Sequence, residues 1–256
     1  DVMALSKYLK AQGKTSFDVL DDSSASASKR RAAWKMLNEA TLASLIVFNR
    51  RKAGEVSKIR EEKFNARSLP DDSELFEGCL SPFEKELCKS LQRLEIPGKR
   101  GRTVPVLISH DVEAWLLLLC RTRREMKIDS ENTYLFPRFT GRGHIRGTDV
   151  LREARTKCGA EQPELLKSTK LRKHIATVSQ IVNLEDHELD LLARFLGHDV
   201  AVHREYYRLP EDAMQVARVA KLLMACEQGN TDLRGKRLAD IEISPDEGEY
   251  ILLLLQ

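Results

Sequence analysis

Leu196-Gly197-His198-Asp199-Val200-Ala201-Val202-His203-Arg204-Glu205-Tyr206-Tyr207-Arg208 is the stretch on which the reading turns. A basic stretch precedes it: Ser168-Thr169-Lys170-Leu171-Arg172-Lys173-His174-Ile175-Ala176-Thr177. Singly, each residue has a plain structural reading. His198 after Gly197 fits the neighbourhood of a helix C-cap. One tyrosine of the Tyr206–Tyr207 pair fits core packing. Arg172, set between Lys170 and His174, fits an exposed helix face. It is the order and spacing of several such elements that carries more.

Outward from there, periodicity is helical from about Thr148 to Cys226, with breaks near Gly159, Gly197 and Pro210. Before it, residues 137 to 147 (PRFTGRGHIRG) form a basic, glycine-punctuated loop. Arg142 in that loop is a candidate contact to a nucleic-acid backbone, with a solvated loop as the plain alternative. An apolar helix is expected over Val112 to Met126, with Trp115 in the core. Residues 92 to 109 alternate Val104, Val106 and Ile108 after Pro97-Gly98-Lys99-Arg100-Gly101-Arg102, the pattern of a β-hairpin with a basic tip. Further upstream, Ala33, Trp34, Leu37, Ala40, Leu42, Leu45 and Ile46 repeat at helical spacing and lead into Arg50-Arg51-Lys52. A second helical stretch runs to about Ile59. A short amphipathic helix is expected over residues 2 to 11, and a loop or helix start over 21 to 29.

Four of these elements, in this order, resemble the catalytic domain of tyrosine recombinases. In that family an H-x-L-R-H-T box is followed, about two dozen residues on, by L-G-H and then a tyrosine. Here Leu171-Arg172 matches the L-R, Leu196-Gly197-His198 matches the L-G-H, and Tyr207 follows His198 by nine positions. Ile46 to Glu55 is similar to the family's first arginine box, G-L-R-x-S-E. Gly98 to Pro105 looks like a shortened form of its lysine hairpin, G-K-x-x-K-x-R-x-V-P. The resemblance spans about Leu37 to Arg208, and its wording is closest to eukaryotic Crypton-type recombinases. Three departures stand out, one of them Lys173 after the second arginine, where the family often has histidine. Thr169 replaces the histidine before the second arginine. In strict register Lys52, not Arg51, holds the first arginine's place.

The resemblance implies a mainly α fold with a small antiparallel sheet and a set of catalytic residues. Arg51 and Arg172 would clamp the scissile phosphate, with Arg50 as substitute for Arg51. His198 would support the phosphate or the proton transfers, Lys99 would protonate the leaving oxygen, and Tyr207 would attack. Arg50, Arg100, Arg102, Arg142, Lys170, Lys173 and Arg204 would contact DNA. These residue types suit the chemistry. Guanidinium holds a planar, permanently charged fork that matches non-bridging phosphate oxygens. Each such donor is worth on the order of 3 kcal/mol to the transition state. A covalent 3′-phosphotyrosine stores the bond for rejoining, so no metal or other cofactor is expected, and no G-x-x-x-x-G-K-[ST] loop occurs.

Composition sets looser bounds. The 256 residues are 42% hydrophobic and 32% charged, with a net charge of only +3, so any nucleic-acid partner must be read from the basic clusters. Five cysteines without a C-x-x-C pair argue against a disulfide framework or structural zinc. No signal peptide is recognisable and the longest apolar runs are too short for a membrane span. The expected location is nuclear in a eukaryote, cytoplasmic otherwise. With Asp1 in first place, the sequence is expected to begin inside a longer protein. The organisation read from this is an N-terminal helical segment (1–29), a catalytic domain (30–229) and a C-terminal tail (230–256) ending in the apolar run Ile251 to Leu255. Double-stranded DNA is the expected partner, with self-assembly on it as a tetramer typical of the family. The competing readings are an inactive recombinase fold that only binds DNA or protein, and a type IB topoisomerase.

Overall fold

The computed structural model describes residues 1–67, 81–98, 101–181 and 186–197. Within them the chain is helical, with a single two-stranded antiparallel sheet.

The first helix, α1 (Val2–Asp21), buries Leu5, Leu9, Gly13, Ser16 and Leu20, one stripe at three- and four-residue steps. It is twice the length that periodicity predicts. The pattern fades after Ala11 because the next inward position is Gly13, chosen for space rather than for apolar surface. A Cβ built on Gly13 would lie 2.2 Å from Cη2 of Trp115. Helix propensity favours Gly13→Ala by about 1 kcal/mol, but overpacking costs about 1–3 kcal/mol. Gly13→Ala is therefore expected to lower the thermal midpoint. A raised midpoint would mean that Trp115 turns aside without cost.

The central element is α2 (Ala27–Phe48), capped by Ser26, whose hydroxyl accepts the Lys29 N–H. Its buried residues run almost all round over its second half, as befits a helix packed on α1, α6 and α7. Two single-turn helices follow, α3 (Ala53–Ser57) and α4 (Glu61–Asn65), then α5 (Pro82–Ser90), which opens with a Ser81–Glu84 capping box and Pro82 in its first turn. The predicted hairpin is present as β1 (Leu91–Pro97) and β2 (Thr103–Ser109), in a register that pairs Leu94 with Val106 and Ile96 with Val104. These four side chains, with Ile108, face the core, as period-two alternation requires.

The apolar helix α6 spans His110–Thr122 rather than 112–126. It stops early because Lys127 takes a left-handed φ of 57° and the chain turns back, with Ile128 N–H on the Arg123 carbonyl. The basic stretch 137–147 is a hydrogen-bonded turn. Asn132 Nδ2 donates to the carbonyls of Gly141 and Gly143, and Pro137 pairs with His144. Then come α7 (Gly147–Lys157), a short 3-10 turn (Pro163–Leu165), α8 (Ser168–Ile181) and α9 (Asp186–Leu196). Among the described residues no helix is long and apolar enough to cross a membrane.

Candidate functional site

Helix α2 ends in a turn that brings two basic residues against the hairpin. Asn49 is its C-cap, and Arg50 follows with a left-handed φ of 51°. The N–H of Arg50 returns to the Val47 carbonyl and that of Arg51 to the Ile46 carbonyl. This is the Schellman pattern, usually closed by glycine. An arginine in that conformation costs about 1–2 kcal/mol, a strain of the kind that collects at functional sites.

The reversal sends the Arg51 side chain inward. It is fully buried. Nε (3.0 Å) and Nη2 (2.5 Å) both donate to the Pro105 carbonyl on β2. The guanidinium carbon lies 5.1 Å from the centroid of the Phe195 ring. Nη1 has no hydrogen-bond partner among the described residues. Burial pushes this guanidinium down to about 10; Glu55 opposes the shift and the charge of Arg172 adds to it. The group is therefore cationic at neutral pH, beside a second cation, with one donor nitrogen unspent.

That second cation is Arg172 on α8, 4% exposed. Its Nη1 donates to the Arg50 carbonyl at 3.4 Å, and its Nη2 to the Leu196 carbonyl at 2.9 Å. Arg50 and Arg172 are 122 positions apart in the chain. The third wall is the end of α9. Gly197 takes a left-handed φ of 67°, and a Cβ there would stand 3.5 Å from Arg51 Nη1 and 2.9 Å from a Val104 methyl. Gly197 thus serves both as a helix terminator and as space beside the free nitrogen. His198 is the next residue in the chain.

The remaining predicted residues divide. Lys99, Arg100, His198, Arg204 and Tyr207 lie outside the described residues. Lys170 and Lys173 are exposed on α8, flanking the buried Arg172, and Thr169 is exposed on its first turn. Arg102 is exposed at the hairpin, where its carbonyl accepts the Gly98 N–H at 2.6 Å. Lys52, the strict-register candidate, is half-exposed with its Nζ 3.5 Å from Glu55. Arg142 is engaged elsewhere, on Asp129 and Glu131. Its loop is tied to Asn38 through the Pro137 carbonyl, a dozen residues or ~20 Å along α2 from Arg50. Burial lowers Arg50 itself, and its Nη1 donates to Val47.

Sequence reasoning did not single out Asn49, Pro105 or Phe195. A helix-terminal asparagine ahead of two arginines, and a proline inside a strand, were the available signals. A mostly apolar cavity of about 680 Å³ adjoins the site, walled by residues including Phe48, Trp115 and Leu192. Neither Arg51 nor Arg172 lines it, so it is not the cationic pocket. Among the described residues no group of three or more metal-ligating side chains converges.

No protein-family model matches the chain, and no curated protein matches it. Solved structures do. XerH site-specific recombinase bound to difH substrate, in a pre-cleavage complex, is 16% identical with a TM-score of 0.49, covering 88% of this chain and 53% of that one. The post-cleavage complex on palindromic difH is 16% identical with a TM-score of 0.47, covering 80% and 49%. XerA recombinase is 14% identical with a TM-score of 0.42, covering 89% and 64%. The chain spans about half the length of the first two.

Proposed function

We propose that this chain is the strand-cleaving and rejoining domain of a tyrosine recombinase, of Crypton type by the wording of its motifs. The observation that supports this best is the buried pair Arg51 and Arg172, drawn from distant parts of the chain onto one strand edge and one helix end. Two like charges share a buried site only at a cost, which a phosphate between them relieves. Gly197, which borders Arg51 Nη1, stands one residue before His198 and ten before Tyr207 in sequence.

In this reading the Tyr207 hydroxyl gives its proton to His198 as base, its oxygen attacks the phosphorus and the bond to the 5′-oxygen breaks. The electron pair leaves on that oxygen, which takes a proton from Lys99, and a 3′-phosphotyrosine remains. Attack by a 5′-hydroxyl reverses the sequence on the same or a second strand. Arg51 and Arg172 carry the charge on the non-bridging oxygens. Lys170 and Lys173 on the exposed face of α8 extend the cationic surface toward flanking phosphates. Double-stranded DNA is the substrate, recombinase copies assemble on it, and the protein works where that DNA is kept, the nucleus in a eukaryote.

Nicked duplex incubated with the protein and run on denaturing gels tests this. Wild type and Tyr206→Phe are expected to give a protein–DNA adduct, and Tyr207→Phe none. An adduct persisting in Tyr207→Phe would remove that residue as the nucleophile. Thr169, standing exposed where the family pattern has histidine, favours a second reading, a domain that binds DNA without cutting it. Salt-sensitive binding with no adduct from wild type would establish that alternative.

A further inference from the structure

Asn49 carries no charge and matches no letter of the arginine box around it, yet it is 1% exposed beside the two arginines that follow it. Its Nδ2 donates to the carbonyls of Leu45 (3.1 Å) and Leu107 (2.9 Å), and its Oδ1 accepts the Leu107 N–H (2.7 Å). A carboxamide that takes both the N–H and the C=O of one strand residue does the work of a neighbouring strand. Alternate residues of a strand turn their peptide groups to the same edge. Leu107 and Pro105 therefore share the edge of β2 that faces away from β1. Asn49 occupies it at Leu107, and Arg51 occupies it at Pro105. Proline has no N–H, so position 105 offers only an acceptor, and guanidinium has only donors. Between these two anchors the Arg50 carbonyl accepts from Arg172.

We infer that Asn49 is the positioning residue of the arginine pair. It pins β2 at Leu107, which sets where the Pro105 carbonyl stands and so where Arg51 directs its remaining nitrogen. The inference rests on the reading of Arg51 and Arg172 as a phosphate clamp. A helix cap alone would need only the Leu45 bond; the two bonds to Leu107 reach 58 positions along the chain to another element.

Two substitutions test it by hydrogen exchange in the whole chain. Asn49→Leu keeps the volume and removes all three bonds. Asn49→Asp keeps the acceptor for the Leu107 N–H and removes the donor. In Asn49→Leu, exchange at the Leu107 amide and at the Arg51 Nε–H is expected to rise about tenfold or more, the scale of one lost buried hydrogen bond. Asn49→Asp is expected to fall between it and wild type, with core amides such as those of Leu9 and Leu119 unchanged in both. Adduct formation is expected to lose about tenfold in rate at saturating DNA, with DNA affinity less affected, as for a group that acts only through the transition-state clamp. Arg51 Nε–H exchange at the wild-type rate in Asn49→Leu would overturn the positioning role and leave a helix cap. Raised exchange in a protein whose wild type forms no adduct would uphold the lock and count against the cleavage reading alone.

Discussion

Arg172→Ala is expected to slow strand cleavage by about a hundred- to a thousandfold, the usual loss when one donor to a developing oxyanion is removed. The side chain reaches the site from α8, where its guanidinium donates to the main-chain carbonyls of Arg50 and Leu196. These bonds fix the plane of the guanidinium, and a fixed planar fork is what bidentate phosphate recognition requires. Arg172→Lys should recover only part of the rate, because an ammonium keeps the charge and loses the fork. Adding Arg51→Ala should cost much less than the product of the two single losses, since residues that act as one clamp fail together. Single-turnover adduct formation measures all three variants, with thermal midpoints taken alongside to separate misfolding. A folded Arg172→Ala protein that cleaves at the wild-type rate would sink the clamp.

Trp34→Ala is expected to cost about 3–5 kcal/mol of folding stability, a large part of the ~5–15 kcal/mol that holds a typical domain. Trp34 is 1% exposed and joins three elements. Its ring meets Phe139 at 5.1 Å between centroids, and its Nε1–H donates to the Leu119 carbonyl at 3.3 Å. The first contact holds the turn after Pro137, the second holds α6 against α2. Trp34→Phe should cost less, since it keeps most of the buried area and loses the N–H donor. Urea midpoints at constant slope give the difference. An unchanged midpoint for Trp34→Ala would mean that the centre of the core lies elsewhere.

Periodicity was enough to find α2, the β1–β2 hairpin and the helical run that carries Arg172, because in each the buried side chains repeat at the period of the backbone. It fell short at α1 and α6 for a local reason. Gly13 is buried for lack of a side chain, and the turn at Lys127 is closed by main-chain hydrogen bonds. Neither leaves an apolar mark.

The candidate site divides along the same line. Sequence by itself determined which residue types are present and in what order, and that order was sufficient to nominate Arg51 and Arg172 from a resemblance in motif spacing. Only the tertiary structure decided that Arg51, and not Lys52, goes inside. A left-handed turn at Arg50 reverses the chain there, and Lys52 is left half-exposed beside Glu55. Only the tertiary structure, too, gave Asn49 a role. A carboxamide becomes specific when a particular strand edge is placed against it, and that placement depends on residues 58 positions away.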